Sequence, residues 1–134
     1  RIGLRIEEEK DHHFSDYENA LKCTLSKREE EFTIGGVVFS GPHPRLTLIN
    51  GCVLEMAQTG TILTIKNNDR PGIIGAIGAC LGKHNVNIDQ FNLGRNQKGG
   101  EAMALLRIDE DIEEDVLKEL ENQPNINFVC KIRL

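Results

Sequence analysis

The stretch NNDRPGIIGAIGACLGKHNVNI, residues 67–88, sets the architecture of the chain. It follows a short apolar run, Ile62, Leu63 and Ile65, that reads as a buried strand. Asn67-Asn68-Asp69-Arg70 then makes a turn, and Pro71 suits the first helical position, where a missing N–H leaves no bond unmade. Ile73, Ile74, Ile77, Cys80 and Leu81 recur at helical spacing and give one apolar stripe. Asn85 can close that helix in a left-handed conformation. Val86, Ile88, Phe91 and Leu93 then begin a second strand.

Downstream, Asn96-Gln97-Lys98-Gly99-Gly100 is a hairpin, and Ala102, Ala104, Leu106 and Ile108 return as a strand. Ile112, Val116, Leu117 and Leu120 mark a second helix, and Ile126, Phe128, Cys130 and Ile132 a last strand. The order strand, helix, strand, strand, helix, strand is an α+β, ferredoxin-like βαββαβ unit over residues 59–134, with both helices on one face of an antiparallel sheet.

Upstream, residues 1–58 read as strands only. Ile2, Leu4 and Ile6 alternate with polar neighbours, and residues 11–16 break the pattern as a loop. Leu21, Cys23 and Leu25 alternate again. Phe32, Ile34, Val37 and Val38 follow, and Gly35-Gly36 between them suggests a bulge. Gly41-Pro42-His43-Pro44 is a turn, and Asn50-Gly51 is a hairpin dipeptide between Leu46-Ile49 and Val53-Leu54. No helix is long enough to cover these strands, so this half is expected to be part of a domain whose remainder lies elsewhere. The start at Arg1, without a signal peptide or initiator methionine, likewise reads as a fragment of a longer polypeptide.

Composition narrows the function. The net charge of −5 and the absence of Trp argue against nucleic acid, which demands clustered cations and stacking platforms. No apolar run approaches a membrane span. The four cysteines, Cys23, Cys52, Cys80 and Cys130, lack metal-ligand spacing and sit among apolar neighbours. They are expected to be reduced, partly buried thiols in a cytoplasmic protein.

Catalytic signatures are missing: no nucleophile elbow, no zinc motif and no phosphate loop. Gly72, Gly75, Gly78 and Gly82 fall within the helix and not in the turn before it, so they cannot cradle a pyrophosphate. His12, His13, His43 and His84 lie in loops or at a helix end. The turn at residues 67–72 is different. Free N–H groups and the helix dipole there favour an anion, while Asp69 can hold an ammonium. Together they suit an amino-acid zwitterion, and Asn87 can add an amide from a neighbouring strand or from a partner subunit. The plainer reading is that Asn, Asp, Pro and Gly merely build the turn.

Residues 61–134 resemble an ACT domain, the βαββαβ module that binds small effectors at subunit interfaces. The residues that carry this are NNDRPGIIGAIGACLGKHNVNI (67–88) and NLGRNQKGGEAMALLRID (92–109), with Leu93-Gly94-Arg95 and Gly99-Gly100-Glu101-Ala102 the more specific part. These stretches, with RIGLRIEEEK, SDYENAL and GGVVFSGPHPRLTLING, are similar to the C-terminal regulatory region of the D-3-phosphoglycerate dehydrogenase family. That resemblance makes residues 1–58 the latter part of an intervening domain and residues 59–134 the ACT domain. It implies L-serine or a related amino acid as effector, at an ACT dimer interface, with Asn67, Asp69, Pro71, Gly72, Ile73 and Asn87 as the binding residues. It implies no cofactor and no catalytic residue within this chain, and NAD for the parent enzyme. In the intervening half Arg45 remains, but Cys52, Val53 and Ala57 stand where further basic residues of an anion site are sought. An oligomerisation module without effector, and the regulatory part of an iron–sulfur L-serine dehydratase, are the competing expectations.

Overall fold

The computed structural model describes Glu7 and residues 19–27, 30–38, 43–57, 59–95 and 97–133. The expected first strand at Ile2–Ile6 and the loop at residues 11–16 lie outside the described residues. Eight strands and two helices follow in the order β1 Ala20–Lys27, β2 Glu30–Val38, β3 Pro44–Ile49, β4 Cys52–Ala57, β5 Thr61–Asn68, α1 Ile73–Lys83, β6 Ile88–Arg95, β7 Glu101–Ile108, α2 Glu114–Glu121 and β8 Ile126–Arg133. They make two four-stranded antiparallel sheets, β1-β2-β3-β4 and β6-β7-β5-β8. The second is the expected ferredoxin-like sheet.

Local chemistry explains the turns. Asn50 and Gly51 both take positive φ, 46° and 80°, which a tight two-residue hairpin demands. Asn50 also ties this hairpin to β2, since its Oδ1 accepts the Thr33 N–H at 2.8 Å. The register of β2 on β3 slips between Gly35 and Gly36, the bulge those glycines suggested. Asn85 closes α1 with φ 56°.

The start of α1 departs from expectation. β5 runs on through Asn67 and Asn68, so the turn begins only at Asp69. Gly72 has φ 95°, a left-handed conformation incompatible with a helical first turn, and it is the N-cap residue. Pro71 is therefore in the turn before the helix and not its first residue. Gly72→Ala is expected to destabilise the fold by about 1 to 2 kcal/mol, because a Cβ at this φ is strained whatever the space around it. A denaturant midpoint matching that of the wild type would contradict it.

Two cores share the central strands. On one face of the second sheet, Leu63, Ile65, Ala104, Leu106 and Ile108 pack with Ile73, Ile77, Cys80 and Leu81 of α1 and Val116 and Leu120 of α2. On the other face, Ile62, Met103 and Leu105 pack with Leu46, Ile49, Cys52 and Met56 of the first sheet. β5 and β7 are thus buried on both faces. The first sheet, expected to lack a covering layer, is covered in part by the second. At one edge the layers approach closely: a Cβ added at Gly94 would lie 2.8 Å from Cys52 Cβ, and Gln90 donates across the seam to the Glu55 carbonyl at 2.8 Å. Gly94→Val is expected to part β4 from β6 and cost about 1 to 3 kcal/mol, read as a lowered melting temperature. An unchanged melting temperature would exclude this close approach.

None of the four cysteines is in a disulfide, and Cys52 and Cys80 are buried. Cys23 departs from the expected partial burial and is exposed, since β1 is an edge strand. Burial pushes the Cys52 and Cys80 thiols up, away from reactive thiolate. His84 sits at the end of α1 as its C-cap, and its Nε2 lies 2.9 Å from Glu119 Oε2 on α2. Lys83 Nζ joins the same carboxylate at 2.9 Å. Hydrogen bonds from Lys83 and then His84 hold the Glu119 carboxyl below its ordinary range, and the Lys131 bond does the same for Asp111. A carboxyl so lowered stabilises the fold fully above the ordinary carboxylate range, about pH 4, and loses that contribution as pH falls below it. Thermal melts at pH 6 and pH 3 should differ, and Glu119→Gln should narrow the difference.

Candidate functional site

The β5–α1 turn and the β6–β7 hairpin meet at one end of the second sheet, because Asn68 pairs with Glu101 and Arg95 with Ala102. Asp69 N–H donates to the Gly100 carbonyl at 2.8 Å, which ties turn to hairpin. Between them lies an open hollow of about 520 Å³, lined by Asn67, Asp69, Pro71, Gly72 and Ile73 with Leu93, Arg95 and Lys98. Five of the six sequence-expected site residues therefore line one space.

Two features give the hollow its chemistry. Asn67, on the helix-facing side of β5, is 1% exposed, and its Oδ1 has no hydrogen-bond partner. Its Nδ2 donates to the Asn68 carbonyl at 2.9 Å, so the amide is oriented with an acceptor left over. A buried acceptor without a donor costs about 1 to 3 kcal/mol, which a bound donor would relieve. The second feature is the start of α1, which has no side-chain cap and no acidic residue in its first turn. Its free N–H groups and dipole remain available to an anion.

Asp69 is engaged differently from expectation. It neither caps the helix nor stands free: its Oδ2 accepts the Gly99 N–H at 2.9 Å and a guanidinium N–H of Arg95 at 2.9 Å. The Gly99 bond first, then the Arg95 bond, hold its carboxyl below the ordinary range, with the Arg70 charge adding to this. Arg95 and Gly99 were not among the expected site residues. The signal for them was the strand register, which brings the end of β6 beside Asp69 and cannot be read locally.

Asn87 is not part of this hollow. It precedes β6, whose far end carries Arg95, so roughly 25 Å of strand separates it from Asp69. Its Nδ2 donates to Asp109 Oδ2 at 2.6 Å and its backbone N–H to Glu110 Oε2 at 2.7 Å. Within one chain it cannot meet the turn.

Among the described residues no helix is long and apolar enough to cross a membrane. The turn also does not fit a dinucleotide. Gly72 is its lone glycine, and Gly75, Gly78 and Gly82 lie inside α1, so no glycine-rich cradle precedes the helix.

Residues 61–125 match the ACT domain family model. The chain is 32% identical over 132 residues to D-3-phosphoglycerate dehydrogenase of Bacillus subtilis, covering 98% of this chain and 25% of that protein. With D-3-phosphoglycerate dehydrogenase of Methanocaldococcus jannaschii it shares 33% identity over 118 residues, 88% of this chain and 22% of that one. It is also 27% identical over 130 residues to a probable L-serine dehydratase beta chain of Bacillus subtilis, covering 97% of this chain and 59% of that protein. The chain thus spans about a quarter of the dehydrogenases it matches. Residues 61–125 thus form an ACT domain, and nearly the whole length of the chain is similar to a segment of D-3-phosphoglycerate dehydrogenases.

Proposed function

We propose that this chain is the amino-acid-sensing regulatory part of a cytoplasmic, NAD-dependent D-3-phosphoglycerate dehydrogenase, with L-serine as effector at an ACT dimer interface. On this reading residues 1–58 are the latter part of the intervening domain and residues 59–134 the ACT domain. The catalytic and NAD-binding parts belong to the remainder of the parent protein. The observation that carries the reading is the buried, unpartnered Oδ1 of Asn67, a residue lining a hollow that also offers a free helix N-terminus and a carboxylate. An amino acid supplies both an ammonium donor and a carboxylate.

Two chains would complete the site. β6 is one of the two edge strands of its sheet, and Ile74 and Leu93 beside the hollow are 56% and 40% exposed. Two β6 edges meeting antiparallel about a twofold axis would set the Asn87 end of one against the Arg95 end of the other. Charge favours that pairing: Arg70, Arg95 and Lys98 surround the hollow, while Asp109 and Glu110 surround Asn87. Serine bridging the pair would favour one arrangement of subunits, and inhibition follows where that arrangement is the less active one.

Calorimetric titration with L-serine, with D-serine and glycine as controls, tests this. Saturable, L-serine-selective binding by a dimer is the expected result. No binding by a folded dimer would favour an oligomerisation module without effector. The dehydratase match supports a second parent, an L-serine dehydratase, for the same regulatory part. Asn87→Ala should weaken serine binding by roughly tenfold, the worth of a lost hydrogen bond, without changing the melting temperature of the unliganded chain by more than a few degrees.

A further inference from the structure

We infer that Arg95 selects for zwitterions: in the empty site its guanidinium stands where the effector's ammonium belongs, and once displaced it takes the effector's carboxylate. The inference rests on the reading of the hollow as an amino-acid site and adds a specificity-determining residue to it.

The hollow is unevenly charged. Asp69 is the lone carboxylate among its lining residues, against the three cations Arg70, Arg95 and Lys98. That carboxylate is already engaged, since one oxygen, Oδ2, accepts both the Gly99 N–H and Arg95 Nη1, each at 2.9 Å. Gly99 is a fixed backbone donor in the hairpin. Arg95 is a long side chain, 55% exposed against 19% for Asp69, and is the donor that can leave. Exposed ion pairs of this kind contribute little to stability, so swinging it away costs the fold little.

A ligand must therefore do two things. Its ammonium must satisfy Asn67 Oδ1 and replace Arg95 on Asp69. It must also offer the released guanidinium a partner, which a carboxylate does through paired N–H bonds. A simple amine displaces Arg95 and leaves it unpaired. A simple carboxylate meets the helix N-terminus but leaves Asn67 Oδ1 without a donor. Only a molecule carrying both groups a short distance apart satisfies every group.

The experiment compares L-serine with ethanolamine, which keeps an ammonium and a hydroxyl but lacks the carboxylate. Both are titrated calorimetrically into the 134-residue chain, as wild type, Arg95→Ala and Arg95→Lys, with a thermal melt of each to confirm folding. Arg95→Ala is expected to weaken L-serine at least roughly tenfold while leaving ethanolamine as tight or tighter, because its competitor for Asp69 is gone. Arg95→Lys should fall between, since an ammonium keeps the charge without the fork. Unchanged L-serine affinity in Arg95→Ala would overturn the inference alone, as would an equal loss for both ligands, which marks a structural role. Failure of the wild type to bind L-serine at all would overturn the effector reading and this inference with it.

Discussion

Asp69→Ala is expected to lower the affinity for L-serine by roughly 30-fold or more, the largest single effect at the site. The ammonium would lose its one carboxylate partner in a hollow that otherwise holds three cations. Removing one member of a hydrogen-bonded charge pair leaves the other charge unpaired, a loss of about 30-fold or more in affinity. Asp69→Asn separates binding from folding. It keeps an acceptor for the Gly99 N–H, so the hairpin stays tied to the turn, but it cannot neutralise an ammonium. Asp69→Asn should melt close to the wild type at neutral pH and lose affinity in titration, whereas Asp69→Ala, which also loses the Gly99 bond, should melt lower. Full serine affinity in Asp69→Asn would remove this residue from the site.

Leu105→Ala is the change with the largest expected effect on stability. Leu105 is fully buried and sits among Met56, Ile62 and Met103 between the two sheets. Its truncation leaves a cavity that neither layer can close alone, at about 2 to 5 kcal/mol. Because β5 and β7 carry both cores, loss of this contact should lower the stability of both sheets together. Denaturant unfolding followed at two probes, one in each sheet, is expected to show coincident transitions in the wild type and in the variant. Two separated transitions would mean that the layers fold independently.

Much of this was legible in the residues, for physical reasons that differ by element. The stripe Ile73, Ile74, Ile77, Cys80 and Leu81 predicts α1 because helical periodicity survives its glycines, and α1 buries all of these except Ile74, which is exposed. Asn50-Gly51 and Gly35-Gly36 are local backbone signals, and local signals read well. What the sequence hides is long-range. Ile62 and Met103 look like ordinary strand residues, and nothing near them tells of a second sheet on that face. Asp69 is visible as a turn carboxylate, but its partners Arg95 and Gly99 are 26 and 30 positions away and arrive through the register of β6 and β7. Pro71 misleads for a subtler reason: proline suits a first helical turn, but the left-handed Gly72 after it delays the helix. Asn87 was expected beside Asp69, but within one chain it lies at the far end of β6, and it would join the site only through the proposed second chain.

The most direct measurement is a residue-resolved titration of the isotopically labelled chain with L-serine, followed through its backbone and side-chain amide resonances. Saturating shifts at Asn67, Asp69, Gly72, Ile73 and Gly99, together with the Asn87 side chain, are the expected result, and they would locate the effector between two chains. Shifts confined to other surfaces, or none at serine concentrations that saturate calorimetric binding, would contradict the site.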